Sequence, residues 1–181
     1  SHGMILGEGG IKMSKSRDNV IGPEDVMGPY GVDALRQWAA AGSSTGQDIL
    51  FNWNDVVAAS RFQTKMWNIV RFSLSQIQRE SPVPKTDAPS TLIDRWMLAN
   101  LSKTVADVTE AMESYLFDKG LKIVRDFAWN AMADEYLEFV KGRLYSEEPE
   151  RAGAVYTLET TLDAMCTMLA PYIPFFAQEC Y

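Results

Sequence analysis

Apolar side chains recur every three or four positions over most of the chain after residue 52. This spacing gathers them on one face of a helix, so it predicts long amphipathic helices and not strands. Proline-rich and polar turns interrupt the pattern and leave four long helices with short connections, which is the arrangement of a helical bundle. The predicted helices cover residues 53–79, 90–114, 118–144 and 149–169, with a proline-bracketed linker over residues 81–89.

The first fifty residues have a different pattern, because nine of the twelve glycines lie there. Glycine enrichment is typical of turns that need unusual backbone dihedrals. Met4 to Leu6 predicts a strand, and short helices are expected from Gly22 to about Met27 and from Gly31 to about Ala41. The sequence therefore predicts two parts: a small irregular α/β segment over residues 1–50, and an all-α bundle over residues 51–181.

Charge is divided unevenly between the two halves of the chain. The net charge of −7 lies wholly in residues 81–181, and the first 80 residues are neutral. An acidic protein taken as a whole is not expected to bind nucleic acid. Because the average hides a neutral first half, any nucleic-acid surface is expected in that half.

Rare residues exclude several kinds of chemistry. The chain has one histidine, His2, and two cysteines, Cys166 and Cys180. These are too few for a tetrahedral metal site of soft ligands, and a Ser-His-Asp or Cys-His catalytic arrangement has no suitable histidine. We expect buried thiols of a reducing compartment. No apolar run reaches the ~20 residues that cross a bilayer, so a soluble, cytoplasmic protein without a membrane contact is expected.

One face of the first long helix carries cations in an otherwise acidic protein. Its apolar arc includes Phe62, Met66 and Trp67 and is expected to face the bundle. An exposed aromatic ring beside cations can stack on an unpaired base, although Phe72 packing beneath a neighbouring element is an equal alternative from the pattern alone. The opposite face holds three cations, two amides and this ring, with no acid: Asn54, Arg61, Lys65, Asn68, Phe72 and Arg79.

Large apolar residues elsewhere in the helices are best interpreted as core. Trp67, Trp96 and Trp129 lie at apolar helical spacings, and so does Phe139 on the third long helix. Because the apolar stripe of an amphipathic helix faces the core, all four side chains are predicted to be buried.

A basic loop near the start of the chain is the best candidate for chemistry. It consists of Lys12, Met13, Ser14, Lys15 and Ser16, between a glycine-rich stretch and Arg17. Together with Arg17, the loop has three cations and two hydroxyls, which offer charge-assisted hydrogen-bond donors to a polyphosphate. Taken by composition alone, a loop of this kind is more often a solvated turn.

The five residues of this loop are identical to the KMSKS signature loop of the class I aminoacyl-tRNA synthetases. The two following segments, 20–26 and 30–36, resemble the valyl, isoleucyl and leucyl branches of that family, and so does the ending, 170–175. Three further segments, 44–49, 65–72 and 129–138, resemble the valyl branch in particular. The sequence departs from the family pattern at Asp18, where glycine is usual.

The resemblance implies the C-terminal portion of a larger ATP-dependent ligase. Residues 1–50 would supply the KMSKS loop and a stem-contact segment, and residues 51–181 the anticodon-binding bundle. Lys15 and Lys12 would act in catalysis, and the loop Lys12 to Ser16 would bind ATP, with its Mg²⁺, and pyrophosphate. The stripe from Asn54 to Arg79 would bind tRNA(Val). No cofactor or metal is expected to be bound to this portion.

The catalytic Rossmann and editing domains of the parent chain are further implied partners. Because the chain contains no HIGH-like segment, we expect no amino-acid activation by this portion alone. Two alternatives stay open at this point. One is the same portion of an isoleucyl or leucyl enzyme, and the other is a helical protein–protein interaction module.

Overall fold

The computed structural model describes residues 3–42, 46–78, 91–146 and 150–180, so the predicted linker at 81–89 lies outside the described residues. The predicted helical bundle is confirmed, and its helices begin and end within a few residues of the expected positions. The helices are α1 Pro23–Tyr30, α2 Val32–Gly42, α3 Trp53–Ile77, α4 Leu92–Glu113, α5 Phe117–Asp126, α6 Leu137–Tyr145, α7 Glu150–Leu169 and α8 Pro174–Cys180.

A π-helical segment, Phe127–Tyr136, joins α5 to α6 without a break. The single helix predicted over 118–144 is therefore continuous, but its middle has a wider turn than an α-helix. The buried positions then step by four, through Ala128, Met132, Tyr136, Val140 and Leu144. This change of period turns the Phe139 side chain outward, where it is 62% exposed. The predicted burial of Phe139 is therefore wrong.

The main core lies between α3, α4, the α5–α6 unit, α7 and α8. Helices with one apolar face each bury that face against the others, which is the usual way in which a bundle is stabilised. The largest fully buried apolar side chains include Phe62, Met66, Met97, Leu121, Met132, Leu144, Leu158, Met165 and Ile173.

A buried ion pair ties the start of α4 to the end of α6. The Asp94 carboxylate accepts hydrogen bonds from Arg143 at 2.9 and 2.7 Å and from the Tyr136 hydroxyl at 2.9 Å. Thr91 caps α4 and donates its hydroxyl to the same carboxylate at 2.7 Å. Burial alone would raise the pKa of Asp94, but the hydrogen bonds from Arg143, Thr91 and Tyr136 together outweigh it and hold that pKa below its ordinary value. Asp94 is therefore a buried, charged and fully hydrogen-bonded anchor.

The first fifty residues pack into a second, smaller core that they share with the start of α3. Two short parallel strands, β1 Ile5–Leu6 and β2 Ile49–Leu50, pair with Ile5 opposite Ile49, which confirms the strand predicted at the start of the chain. The small core consists of Val26, Trp38, Phe51 and Val56, and it extends into the first turns of α3 because Val56 belongs to that helix.

Two charged side chains on α2 hold this N-terminal segment against the bundle. The buried Asp33 carboxylate accepts the N–H of Phe176 in the first turn of α8 at 2.7 Å. Arg36 donates to the carbonyl oxygens of Pro171 at 2.9 Å and Tyr172 at 3.3 Å, in the turn between α7 and α8. The first N–H groups of a helix have no acceptor inside it, so Asp33 supplies one from a distant part of the chain.

Candidate functional site

The basic loop lies at the edge of the strand pair. Lys12 forms an antiparallel bridge with Leu6, and a short 3₁₀ turn, Lys15–Arg17, closes the other end of the loop. Met13 is half-buried against the small core, while the side chains of Lys12 and Lys15 are exposed. The backbone is therefore anchored, and the two lysines remain open to an anionic ligand.

Asn19 braces the loop from inside. Its side-chain oxygen accepts the N–H of Ser14 at 2.8 Å, and its amide group donates to the carbonyl oxygen of Lys12 at 3.3 Å. The hydroxyl oxygens of Ser14 and Ser16 lie 3.3 Å apart. Sequence reasoning did not single out Asn19. The available signal was an asparagine close behind the loop, because asparagine side chains often bond to the backbone of a nearby turn.

Asp18 takes a backbone conformation that glycine adopts most easily. Its φ of 51° and ψ of 33° lie in the left-handed region, and its N–H donates to the carbonyl oxygen of Lys15 at 3.3 Å. Aspartate is one of the few non-glycine residues that visit this region with any frequency. The departure from glycine at this position is thus compatible with the turn that closes the loop.

A groove of about 600 Å³ lies between α3 and the unit formed by the π-helical segment and α6. We call it the α3–π groove. Four of the six stripe residues predicted on the first long helix line it: Arg61, Lys65, Asn68 and Phe72. Asn54 is exposed near the start of α3 and is not among the lining residues, and Arg79 lies outside the described residues. The opposite wall includes Ala133, Asp134, Leu137, Glu138 and Lys141.

Lys65 is held between two side chains of the π-helical segment. Its ammonium group donates to Asp134 at 2.9 Å and lies 3.5 Å from the centroid of the Trp129 ring. The stripe on α3 carries no acid, but the fold brings acids to it from the opposite wall. Trp129 is 39% exposed, so its predicted burial is wrong. The wider π turn and the contact with the Lys65 ammonium keep this ring at the surface.

The other aromatic predictions have mixed outcomes. Phe72 is half-buried, and it both lines the groove and packs against the main core, so each of the two alternatives for this ring holds in part. Trp96 is half-buried against the core. Trp67 is 39% exposed beside Phe175 and Phe176, so its predicted burial is wrong, because the short α8 covers only part of this side of α3.

Arg61 is the cation of the groove that is best placed to meet a ligand. Its side chain is exposed, and within the described part of the chain it makes no hydrogen bond or ion pair. In contrast, Lys65 is paired with Asp134, and Lys141 is paired with Glu138 on its own helix. An anion entering the groove would therefore meet Arg61 without first breaking an existing contact.

The described residues offer neither a metal site nor a membrane-spanning helix. Among the described residues, no group of three or more His, Cys, Asp or Glu side chains could hold a metal ion. None of the helices in the described ranges is both long and apolar enough to span a lipid bilayer.

Comparisons with known proteins match both parts of the chain. Residues 94–181 match the model of the anticodon-binding domain of tRNA ligase, and residues 1–52 match that of the tRNA synthetases class I (I, L, M and V). The valine–tRNA ligase of Methanosarcina acetivorans is 51% identical over 99% of this chain, and that of Archaeoglobus fulgidus is 50% identical over 99%. The chain spans about a fifth of the length of these relatives, 21% in both cases.

A solved structure supports the fold in particular. The agnB2 LeuRS of Agrobacterium radiobacter K84, in a ternary complex with tRNA and LeuAMS, superimposes with a TM-score of 0.79 at 19% sequence identity. The match covers 99% of this chain and 21% of that protein. At this low identity the likeness concerns the fold alone.

Proposed function

The chain belongs to the class I tRNA synthetases, as a relative of the valine–tRNA ligases, and from this premise we propose that it is the tRNA-contacting part of such an enzyme. The single observation that carries this proposal is the α3–π groove, in which four predicted RNA-binding residues share one surface. The activity belongs to a longer protein, because the chain spans only 21% of its relatives. That protein would join valine to tRNA(Val) at the expense of ATP.

We propose a division of labour at about residue 50. Residues 1–50 carry the KMSKS loop and the stem-contact segment, and residues 51–181 bind the anticodon. Two separate apolar cores support this division, although the smaller one includes Val56 from the first turns of α3. Asp33 and Arg36 would hold the two parts in a fixed relation, so that RNA bound by the bundle is aligned with the loop.

In the loop, Lys15 and Lys12 would stabilise the negative charge that develops on the pyrophosphate as the carboxylate of valine attacks the α-phosphate of ATP. Met13, Ser14 and Ser16 complete the loop that contacts the phosphates. This electrostatic stabilisation needs no nucleophile from the protein. Exposed lysines on a backbone braced by Asn19 suit that role. Mg²⁺ would enter with the ATP phosphates, as part of the substrate.

In the groove, Arg61 would meet the RNA backbone, and Phe72 would offer its ring to an unpaired base. Stacking on an aromatic ring contributes ~1–3 kcal/mol per base. Lys65 would stay over the Trp129 ring, which holds its positive charge beside the groove. Asn68 supplies amide donors and acceptors to a base edge. Asn54 and Arg79, at the two ends of the stripe, would extend the surface beyond the groove.

The alternatives are less favoured. An isoleucyl or leucyl enzyme would not be expected to be about half identical to valine–tRNA ligases over nearly the whole chain, at 51% and 50%. A helical protein–protein interaction module gives no reason for the KMSKS loop. Binding affinities measured for tRNA carrying the valine anticodon and for tRNA carrying the isoleucine anticodon distinguish a valyl from an isoleucyl enzyme.

Salt-dependent binding of tRNA(Val) to the chain, followed by fluorescence anisotropy, tests the proposal. We expect Arg61→Ala to weaken binding about tenfold and to lower the slope of log K against log salt by about one. Arg95→Ala is the matched control, because Arg95 is an exposed arginine on α4 that is not among the groove-lining residues, and its loss changes the net charge equally. Equal weakening by both variants would reject the groove as the binding surface.

A further inference from the structure

Two thiols meet where α7 packs against α8. Cys166 is buried in the main core and Cys180 is half-buried against it. Both also line an apolar cavity of about 170 Å³. The remaining walls of this cavity come from α3 and α7: Val70, Leu74, Ile77, Glu159, Leu162 and Asp163. The chain contains no other cysteine.

The two sulfurs differ in exposure and in the pKa of their thiols. Donation from the Cys166 thiol stabilises negative charge on Cys180 and lowers the pKa of Cys180, against the opposing effect of its burial. The same hydrogen bond, together with burial, raises the pKa of Cys166. Because the thiolate is the reactive form and Cys180 is also the more exposed, Cys180 is the sulfur placed to attack an incoming reagent.

We propose that Cys166 and Cys180 are a peroxide-oxidisable dithiol site, in which Cys180 reacts first and Cys166 resolves the product to a disulfide. The Cys180 sulfur attacks one oxygen of hydrogen peroxide, the O–O bond breaks, and the departing oxygen takes up a proton and leaves as water. Cys180 is then a sulfenic acid. The Cys166 sulfur attacks the Cys180 sulfur, the S–O bond breaks, and the hydroxyl leaves with the Cys166 proton as a second water. Two electrons pass from the sulfurs to the peroxide.

Charge around the cavity selects the kind of oxidant. Asp163 lines it on α7 and acts on the Cys166 thiol, and Glu179 precedes Cys180 in the chain and acts on the Cys180 thiol, each raising the pKa of its neighbour. Carboxylates so close to the sulfurs repel anions, so a small neutral reagent such as hydrogen peroxide is favoured over an anionic one. The same carboxylates do not make a metal site with the thiols, since no group of three or more ligands suited to a metal ion occurs among the described residues.

The position of the pair connects it to the rest of the fold. A disulfide would join α7 to the last turn of α8, whose first turn is already held by Asp33. The closed loop would contain about 15 residues, a length for which a cross-link restricts the unfolded chain appreciably. The oxidised protein is therefore expected to melt at a higher temperature than the reduced protein.

The test treats the whole chain with hydrogen peroxide and measures free thiols, intact mass and melting temperature. We expect both thiols to disappear together, the mass to fall by two hydrogen atoms, the melting temperature to rise, and dithiothreitol to reverse all three. Oxidation of the nine methionines adds oxygen and is not reversed by dithiothreitol, so the mass separates the two reactions. Persistence of both thiols, a disulfide between two chains, or sulfinic acid in place of the disulfide would overturn the proposal.

Two variants assign the order of the steps. Cys166→Ser should stop at the Cys180 sulfenic acid, which dimedone captures, and Cys180→Ser should react with peroxide about tenfold more slowly than the unchanged chain. A neutral pyridyl disulfide should label the unchanged chain faster than an anionic aryl disulfide. Faster reaction at Cys166 than at Cys180 would reject the proposed order. The result on the unchanged chain does not depend on the folding of either variant.

Discussion

Replacing Asp94 by asparagine should destabilise the fold more than any other single change of charge in α4. The substitution keeps the size of the side chain and removes its charge, so no cavity forms. The half-buried Arg143 loses the counter-charge it now holds at 2.7 Å, and the buried Tyr136 hydroxyl loses a charged acceptor. Tyr136 ends the π-helical segment, so the same change should also loosen one wall of the α3–π groove.

The magnitude follows from the burial of the pair. The Asp94 side chain is 0% exposed and that of Arg143 is 18% exposed. Removing one partner of a buried pair leaves an uncompensated charge and costs about 3–5 kcal/mol. Asparagine can still accept one hydrogen bond, so the lower end of this range, about 3 kcal/mol, is expected. With a typical m-value, the urea midpoint should fall by about 1–2 M.

Urea unfolding followed by circular dichroism measures this effect. Asp107→Asn is the matched control, because Asp107 lies on the same helix and pairs with Lys103 at the surface. An exposed pair of this kind contributes about 0–1 kcal/mol, so the control should shift the midpoint little. If Asp94→Asn and Asp107→Asn lowered stability by the same small amount, the reasoning about the buried anchor would be refuted.

Three further predictions concern acid stability, the loop and the groove. The pKa of Asp94 is held below its ordinary value of 3.8, so the stabilising effect of this carboxylate is complete above the unfolded pKa and is lost as pH falls through the folded pKa. The urea midpoints of Asp94→Asn and of the unchanged chain should therefore converge in acid. A constant difference between the two midpoints would contradict this. Asn19→Ala removes the acceptor of the Ser14 N–H, so hydrogen exchange at that amide should accelerate about fivefold, and unchanged exchange would mean that Asn19 does not brace the loop. Asp134→Asn removes an acid from the groove and breaks its exposed ion pair with Lys65, so stability should fall by less than about 1 kcal/mol. We expect tRNA(Val) to bind this variant more tightly in anisotropy titrations. Weaker binding would show that Asp134 itself contacts the RNA.

The sequence predicted what depends on local periodicity. Helix α3 was expected over 53–79 and covers Trp53–Ile77, because a stripe of apolar residues at spacings of three and four is present in the sequence itself. The basic loop was also found from neighbouring residues. Burial of Trp129 and Phe139 was predicted wrongly, because that prediction assumed the 3.6-residue period and the π-helical segment has a longer one. Burial of Trp67 was also predicted wrongly, because the extent to which α8 covers α3 is a tertiary contact.

Contacts between distant residues could not be predicted in this way. Lys65 and Asp134 are 69 positions apart, and nothing in either helix alone indicates that the two side chains face each other. Asp33 and Phe176 are 143 positions apart, so the cap of α8 depends on how α2 docks. The stripe on α3 was therefore identified correctly as a surface, but the acids that oppose it came only from the tertiary structure.

The indole N–H signals of Trp129 and Trp67 provide the most direct test of the α3–π groove as the RNA surface. Both rings are 39% exposed, but Trp129 lies beneath Lys65, which lines the groove, and Trp67 lies beside α8. The measurement is a titration of the isotopically labelled chain with the anticodon stem-loop of tRNA(Val), followed by NMR. We predict a saturable shift of the Trp129 signal with little change at Trp67. A shift at Trp67 without one at Trp129, or no shift at either ring while RNA binds, would contradict the account.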